Sequence, residues 1–262
     1  MAMSASPNKN LKIGIVGFGN LGQFLAETMI KQGHSIHATS RSDYSDLCIR
    51  LGIVFFRDTD AFLEADSDVI LLCTSILSLS NVLESMPLKS IRRPVLFADV
   101  LSVKEHPKDV LLQVVPEDCD ILCTHPMFGP RSGKDGWKGL AFMYDKVRLR
   151  DEATCSKFLN VFRTEGCKML EMTSEEHDRL AAKSQFLAHT IGRTLSEMGI
   201  KSTCIDTKSF ETLLQLEESS GQDSEDLYKG LLTYNRFAKQ ELKNLVDAIQ
   251  KVRDRFFEEE EH

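Results

Sequence analysis

His125 lies between a predicted buried strand and a turn-forming segment. The segment reads Ile121-Leu122-Cys123-Thr124-His125-Pro126-Met127-Phe128-Gly129-Pro130. Its first three residues suit a buried parallel strand, and the prolines and glycine that follow disfavour continuation of a strand or a helix. We therefore expect His125 on a stiff loop at the carboxyl edge of a sheet, where ligands bind in open α/β folds. The alternative is a histidine that only caps a turn.

A glycine-rich turn lies near the start of the sequence. Gly17-Phe18-Gly19-Asn20-Leu21-Gly22 follows the apolar run 11–16, and apolar residues at helical spacing continue to Gly33. Between a strand and a helix, such glycines form the turn, admit a pyrophosphate and let helix and strand pack closely. The pattern favours dinucleotide binding over a plain β–α turn. The candidate cofactor contacts are Gly17, Phe18, Gly19, Asn20 and Leu21.

The end of the next predicted strand, 35–39, indicates which dinucleotide binds. NAD sites usually place a carboxylate there for the ribose 2′-hydroxyl, whereas this sequence has Ser40-Arg41-Ser42. Two hydroxyls and a guanidinium can hold a 2′-phosphate, which a carboxylate would repel. Ser40, Arg41 and Ser42 therefore predict NADP. Thr74, at the end of a later strand, is a further candidate contact.

The remaining pattern predicts an α/β N-terminal domain followed by a helical one. Short apolar runs alternate with helix-like segments, which indicates a Rossmann-type, doubly wound and mostly parallel sheet. The later strands are expected at 54–56, 68–75, 95–100, 147–149 and 168–172. Beyond Thr173 the pattern is almost wholly helical, so we place domains at residues 1–173 and 174–262.

Polar residues recur every four positions on the first helix of the second domain. Gln185, His189 and Arg193 share one face, which suits an anionic substrate with a hydroxyl; a solvent-exposed face is the alternative.

In the first domain, Ser102 lies just past the strand 95–100. It could serve the site, or cap a helix through a capping box with Glu105.

The last helix is expected to run unbroken from about Ser224. Its apolar residues step by three or four as far as Phe256, which is typical of a helix that packs against another helix. We expect a homodimer through the C-terminal helices, and an intramolecular helical hairpin is the alternative.

Bulk properties exclude several classes of protein. The 262 residues carry a formal charge of −7, so no basic field is available to hold nucleic acid. No apolar window of 18 residues predicts a membrane span, and no clustered ligands predict a metal site. Seven cysteines without a C-x-x-C pair are typical of reduced core thiols, and with no leader recognised at the N-terminus they predict a cytoplasmic protein.

Taken together, these segments resemble the prephenate/arogenate dehydrogenases that make tyrosine, in particular the plant enzymes of a cytosolic type. The resemblance covers nearly the whole chain. It rests on the glycine-rich turn, Ser40-Arg41-Ser42, Asp99-Val100-Leu101-Ser102-Val103-Lys104, Thr124 to Pro130, the helix 176–193 and Asp223-Ser224-Glu225-Asp226-Leu227-Tyr228. Glu225 departs from the pattern, because these relatives usually carry a bulky apolar residue there.

The resemblance implies an NADP-dependent oxidative decarboxylation of a cyclohexadienol. Hydride leaves ring carbon C4 for the nicotinamide, the ring carboxylate departs as CO2, and the ring becomes aromatic. His125 matches the catalytic histidine that holds the 4-hydroxyl and takes its proton. An imidazole suits this role because the ordinary pKa of histidine lies near neutrality. Ser102 matches a partner of that hydroxyl and of His125. His189 matches a substrate-contacting histidine, with Gln185 in the same pocket and Arg193 a further candidate for a carboxylate.

Asp223 bears on the choice between the two substrates of this family. Arogenate carries a side-chain ammonium where prephenate carries a ketone, and a carboxylate attracts the first and is left unpaired by the second. Plant relatives that prefer prephenate carry an uncharged residue at this position, so the resemblance implies a preference for arogenate. The alternative is that Asp223 only caps the last helix.

Three other activities compete with this interpretation. A prephenate dehydrogenase would use the same site. A β-hydroxyacid dehydrogenase would need a catalytic lysine, for which Lys183 is the candidate. A non-catalytic NADP-binding sensor would retain the fold alone.

Overall fold

The computed structural model describes residues 10–221 and 223–257. The chain divides into two compact units between Thr173 and Ser174, the same place at which the sequence pattern changes. Each unit has its own architecture.

The first unit is built on one eight-stranded sheet. Its strands are β1 (Lys12–Val16), β2 (Ser35–Thr39), β3 (Val54–Phe56), β4 (Val69–Leu72), β5 (Leu96–Asp99), β6 (Asp120–Pro126), β7 (Ala141–Arg148) and β8 (Lys168–Glu171). They lie in the order β3-β2-β1-β4-β5-β6-β7-β8, and every pairing except β6 with β7 is parallel. This confirms the doubly wound α/β fold, whose order reverses between β1 and β4, where such folds bind ligands.

Helices connect these strands and form almost all of the second unit. In the first unit they are α1 (Asn20–Lys31), α2 (Ser45–Leu51), α3 (Thr59–Glu64), α4 (Leu79–Ser85), α5 (Glu105–Val114) and α6 (Glu152–Thr164). In the second they are α7 (Ser174–Ala181), α8 (Leu187–Glu197), α9 (Lys208–Leu216), α10 (Glu225–Tyr234) and α11 (Ala238–Phe257). Two π-helical turns, Ala182–Phe186 and Glu217–Gly221, precede α8 and follow α9.

The strand that carries His125 is longer than the sequence predicts. β6 runs as far as Pro126, so the expectation that His125 lies on a loop is wrong. The register explains the difference: Asp99, the last residue of β5, lies opposite Cys123, and the residues beyond pair with β7 alone. Pro126 ends the strand where the missing N–H disturbs no second neighbour.

The predicted C-terminal helix is broken at Asn235. The side-chain amide of this buried residue donates to the carbonyl of Asp178 (2.7 Å), and its Oδ1 accepts from the N–H of Phe237 (3.0 Å). The backbone there is extended, with φ −98° and ψ 107°. A tertiary hydrogen bond therefore overrides the continuous apolar pattern and separates α10 from α11.

A buried ion pair joins β5 to β6. Asp99 ends β5, and the ammonium of Lys104 contacts its Oδ1 while both side chains are 0% exposed. The same ammonium donates to the carbonyl of Thr124 (2.6 Å), and the hydroxyl of Thr124 donates to the carbonyl of Asp99. Burial raises the pKa of the Asp99 carboxyl, and the Lys104 charge opposes that shift. These contacts hold β6 one residue before His125.

Removal of one partner of this pair should be costly. In Lys104→Met the Asp99 charge stays buried without its counter-charge, so we expect the free energy of unfolding to fall by about 3–5 kcal/mol. Urea unfolding of the first unit measures the change. The double variant Asp99→Asn with Lys104→Met removes both charges and should recover part of the loss. A single variant as stable as the wild type would contradict the assignment.

Candidate active site

The three glycines of the turn after β1 have different surroundings. Gly17 has φ +93°, and a Cβ there would lie 2.7 Å from the carbonyl oxygen of Cys73. A Cβ at Gly22 would lie 2.6 Å from the carbonyl oxygen of Gly17. Around the Cβ position of Gly19 nothing lies within 4 Å among the described residues. The outer glycines thus allow close backbone packing and the middle one leaves space, as a pyrophosphate requires.

The N-terminus of α1 is suited to an anion. The helix begins at Asn20, with Gly19 as its N-cap, and its first turn contains no acidic residue. Its N–H groups and dipole are therefore not neutralised by a side chain. Phe18 is 0% exposed and packs edge-on against Tyr44, and Leu21 packs on the core, so these two candidates can offer a cofactor mainly their backbone.

Polar side chains gather at the carboxyl ends of β2 and β4. Ser40 is half-buried, and Arg41 and Ser42 are exposed just after β2. The hydroxyl of Thr74, two residues past β4, is buried with no hydrogen-bond partner within the described part of the chain. A buried hydroxyl without a partner is uncommon, and a ligand is one way to satisfy it. The residues present therefore fit a dinucleotide.

His125 and Ser102 lie at the carboxyl ends of neighbouring strands. His125 is 3% exposed on the part of β6 that extends beyond β5, and Ser102 follows the end of β5 by three residues. Helix α5 begins at Glu105 and has Lys104 as its N-cap, so the capping-box role for Ser102 is wrong. Because β5 and β6 are parallel neighbours, both residues lie at the edge where the strands end.

An aromatic cluster ties the segment after His125 to helix α1. Phe128 and Trp137 lie 5.3 Å apart between ring centroids, and Phe24 of α1 lies 5.5 Å from Trp137. Trp137 also stacks on Phe162, at 5.6 Å. The candidate catalytic strand and the helix of the glycine-rich turn are thus parts of one packed core.

The polar face of the second unit is buried rather than exposed. His189 is 8% exposed, and Gln185 and Arg193 are half-buried, so the solvent-exposed alternative is wrong. Gln185 lies in the π-helical turn Ala182–Phe186, a deviation that is frequent at functional sites. Its Oε1 is buried without a hydrogen-bond partner among the described residues.

Asp223 lies against His189. The Oδ2 atom of Asp223 and the Nδ1 atom of His189 are 3.4 Å apart, which is within ion-pair distance, but the two atoms do not form a hydrogen bond. Burial lowers the pKa of His189, Arg193 acts in the same direction, and Asp223 opposes both. The N-cap of α10 is Ser224, whose hydroxyl accepts from the N–H of Leu227 (3.2 Å), so the capping alternative for Asp223 is wrong.

Two glycines allow this contact. A Cβ at Gly192 would lie 2.9 Å from the nitrogen of Gly221, and one at Gly221 would lie 2.6 Å from the carbonyl oxygen of Gly192. Helix α8 and the π-helical turn Glu217–Gly221 therefore touch through backbone, and Asp223 follows two residues later. The two glycines can be read from the sequence, but the contact between their backbones cannot.

Arg193 makes contacts within its own unit. Its guanidinium donates to the carbonyl of Asp223 and lies 5.1 Å from the ring centroid of Tyr228. Tyr228 also stacks on Phe186, and its hydroxyl is 3.1 Å from that of Thr190. Arg193 thus fixes the turn before α10, while its Nε is buried without a hydrogen-bond partner among the described residues. Sequence reasoning missed the roles of Tyr228 and Thr190.

A separate groove of about 600 Å³ lies at the other end of the sheet. It is lined by residues before β1 and β2, such as Asn10 and His34, and by α6 residues such as Lys157. The glycine-rich turn and His125 lie at the opposite strand ends, so we do not assign the groove to the reaction. Within residues 10–221 and 223–257, no group of three metal-binding side chains is found, and no helix is long and apolar enough to cross a membrane.

Comparison with known proteins identifies both parts of the chain. Residues 25–162 match the model "Prephenate dehydrogenase, nucleotide-binding domain", and residues 194–262 match "TYRAAT1-like, C-terminal domain". Arogenate dehydrogenase 1 of Arabidopsis thaliana is 52% identical over 97% of this chain, which spans 40% of that protein. Arogenate dehydrogenase 2 of the same plant is 51% identical over 94% of this chain, which spans 70% of it.

A solved structure shares the fold at low sequence identity. Prephenate dehydrogenase from Aquifex aeolicus, in complex with hydroxyphenyl propionate and NAD+, matches with a TM-score of 0.73 and 15% identity. The match covers 99% of this chain and 94% of the other.

The predicted cytoplasmic location is wrong in the light of these relatives. Both Arabidopsis proteins are named as chloroplastic. Reduced core thiols are compatible with any reducing compartment, so they cannot single out the cytosol.

The histidine strand therefore lies within residues 25–162, which the family model matches over more than half of the chain, and two relatives share about half of the chain's residues. This chain belongs to the prephenate/arogenate dehydrogenase family.

Proposed function

We propose that this chain oxidatively decarboxylates arogenate to tyrosine, with NADP as the oxidant. The observation that carries the proposal is the buried His125 on β6, at the strand ends of a nucleotide-binding domain. Two relatives with about half of their aligned residues identical are named arogenate dehydrogenases. The chain spans only part of each of them, so the activity is proposed for this segment.

The residues of the first unit support the chemistry as follows. The glycine-rich turn and Ser40-Arg41-Ser42 would hold NADP, which would supply the hydride acceptor for ring carbon C4 of the substrate. His125 holds the 4-hydroxyl and takes its proton as the carbonyl forms; the ring carboxylate then leaves as CO2, its electron pair makes the ring aromatic, and the oxygen regains the proton from His125 to give the phenol. Ser102 donates a hydrogen bond to the same oxygen. Lys104 keeps β6 in register with β5 and so fixes where His125 lies.

The cofactor is assigned as NADP from the segment after β2. Ser40, Arg41 and Ser42 offer hydroxyls and a guanidinium, and no carboxylate stands among these three positions. The glycine-rich turn would hold the pyrophosphate and Thr74 would donate to the cofactor at the end of β4.

The central test replaces the imidazole. In His125→Asn the amide can keep a hydrogen bond but cannot accept the proton, so we expect kcat with arogenate to fall by about 10²–10⁴-fold. NADPH formation at 340 nm measures the rate, and NADP+ binding should be unchanged. His177→Asn, at a buried histidine of the second unit, is the matched control. Native turnover by His125→Asn would contradict the proposal.

The second unit supports a preference for arogenate. Asp223 has a side chain that is 34% exposed beside His189, and Gln185 has a buried oxygen without a partner among the described residues. We assign all three to substrate binding. The carboxylate of Asp223 would pair with the ammonium of arogenate and would oppose the ketone of prephenate.

Neutralisation of Asp223 should therefore change the substrate ratio. In Asp223→Asn we expect the ratio of kcat/KM for arogenate to that for prephenate to fall by about 10–100-fold, because a charged hydrogen bond is lost. Parallel assays with the two acids measure it. Asp226→Asn, at an exposed carboxylate in the first turn of α10, should leave the ratio unchanged. An unchanged ratio in Asp223→Asn would remove this assignment.

The competing activities receive less support. Lys183, the lysine that a β-hydroxyacid dehydrogenase would need, is exposed on the π-helical turn. Prephenate remains the second candidate substrate, because it differs from arogenate only in its side chain. A sensor without activity would bind NADP+ and turn over neither acid.

We also propose that two copies associate through α11. Several large apolar side chains on this helix are exposed, namely Val246, Ile249, Val252, Phe256 and Phe257. They recur at helical spacing, so a second copy could cover them in one face.

A charge in the middle of that face should break the dimer. We expect sedimentation of the wild type to give twice the chain mass and Ile249→Glu to give one chain mass, because burial of a carboxylate in an apolar interface is costly. Gln240→Glu adds the same charge on the opposite face of α11, nine residues before Ile249, and should stay dimeric. A wild-type monomer at assay concentration would contradict the proposal.

A further inference from the structure

The segment that selects the cofactor lies beside an arginine from another strand. Thr39 of β2 and Phe56 of β3 are paired in the parallel sheet. Ser40 is the residue that follows Thr39, and Arg57 is the residue that follows Phe56. Neighbouring strands lie roughly 5 Å apart. Arg57 therefore leaves the sheet next to Ser40-Arg41-Ser42, although it is distant from them in sequence.

An aspartate connects the two segments. The carboxylate of Asp43 lies 3.7 Å from the guanidinium of Arg57. Its other oxygen accepts from the N–H (2.9 Å) and the hydroxyl (2.6 Å) of Ser45. These Ser45 hydrogen bonds, and to a lesser degree Arg57, lower the pKa of Asp43, so the carboxylate stays ionised.

This ion pair contributes little to stability. Both side chains are more than half exposed, and the 3.7 Å separation is too long for a hydrogen bond. The pair therefore restrains Arg57 without using its N–H donors. Asp58, the next residue along the chain, caps α3 by accepting from the N–H groups of Asp60 and Ala61, so its carboxylate is engaged with that helix.

The charges of this region also favour a role for Arg57. A 2′-phosphate carries close to two negative charges at neutral pH. Arg41 alone would be balanced by Asp43, which leaves the segment after β2 with no net positive charge. Arg57 supplies that charge, and its planar guanidinium can bind phosphate oxygens in pairs.

We propose that Arg57 is a second cation of the 2′-phosphate site, held near Ser40-Arg41-Ser42 by Asp43. The inference rests on the proposed NADP preference. Arg57 lies outside Ser40-Arg41-Ser42, the segment that the strand-end pattern identifies. Asp43 would then position Arg57 rather than repel the phosphate.

Direct binding of nucleotide fragments tests the proposal without turnover. The probes are 2′,5′-ADP, which carries the 2′-phosphate, and 5′-AMP, which lacks it; calorimetry gives both affinities. We expect Arg57→Gln to weaken 2′,5′-ADP by about 10–100-fold with 5′-AMP unchanged, because charge-assisted hydrogen bonds are lost. Arg57→Lys keeps the charge and should lose less.

A matched control separates the site from general charge. Arg92 is also an exposed arginine, and it pairs with Glu64 at 2.7 Å. Arg92→Gln makes the same change in net charge and should leave both affinities unchanged. The urea midpoint of each variant confirms that it is folded.

The outcomes distinguish this inference from the assignment on which it rests. If the wild type prefers 2′,5′-ADP and Arg57→Gln binds it equally well, Arg57 has no part in the site and the inference is overturned. Equal weakening of both probes would overturn it too, because Arg57 would then act on the adenosine or on the fold. If the wild type does not distinguish the probes, the NADP assignment fails and the inference fails with it.

Discussion

The position of β6 depends on one buried charge pair. Asp99 and Lys104 are taken fully out of water, which is tolerated because each gains the other and further hydrogen bonds. The ammonium also binds the carbonyl of Thr124, next to His125. His125, the proposed base, is thus positioned by the core of the sheet. The same contacts keep β6 in a fixed position where it extends beyond β5.

Features that arise from neighbouring residues were predictable from the sequence. The glycine-rich turn and the β–α alternation both depend on short-range spacing, and the structure shows both of them. The motif Asp99 to Lys104 was visible as well. Its pairing was not, because it depends on how β5 and α5 are placed relative to β6.

Features that depend on distant contacts were missed. β7 is eight residues long, whereas the pattern suggested only its end, because Asp145 and Lys146 interrupt the apolar run and the strand is defined by its antiparallel partner. The break at Asn235 depends on a carbonyl of α7. The contact between His189 and Asp223 needs the close approach of Gly192 and Gly221, which no local pattern reveals.

The aromatic cluster around Trp137 has an optical consequence. Trp137 is the single tryptophan of the chain and is 3% exposed among phenylalanines of α1, α6 and the segment after β6. Indole emission shifts to longer wavelength when water reaches the ring. Tryptophan fluorescence, excited at wavelengths that tyrosine does not absorb, therefore reports on the nucleotide-binding unit alone, while circular dichroism follows the helices of both units. The two signals together can distinguish the unfolding of one unit from that of the other.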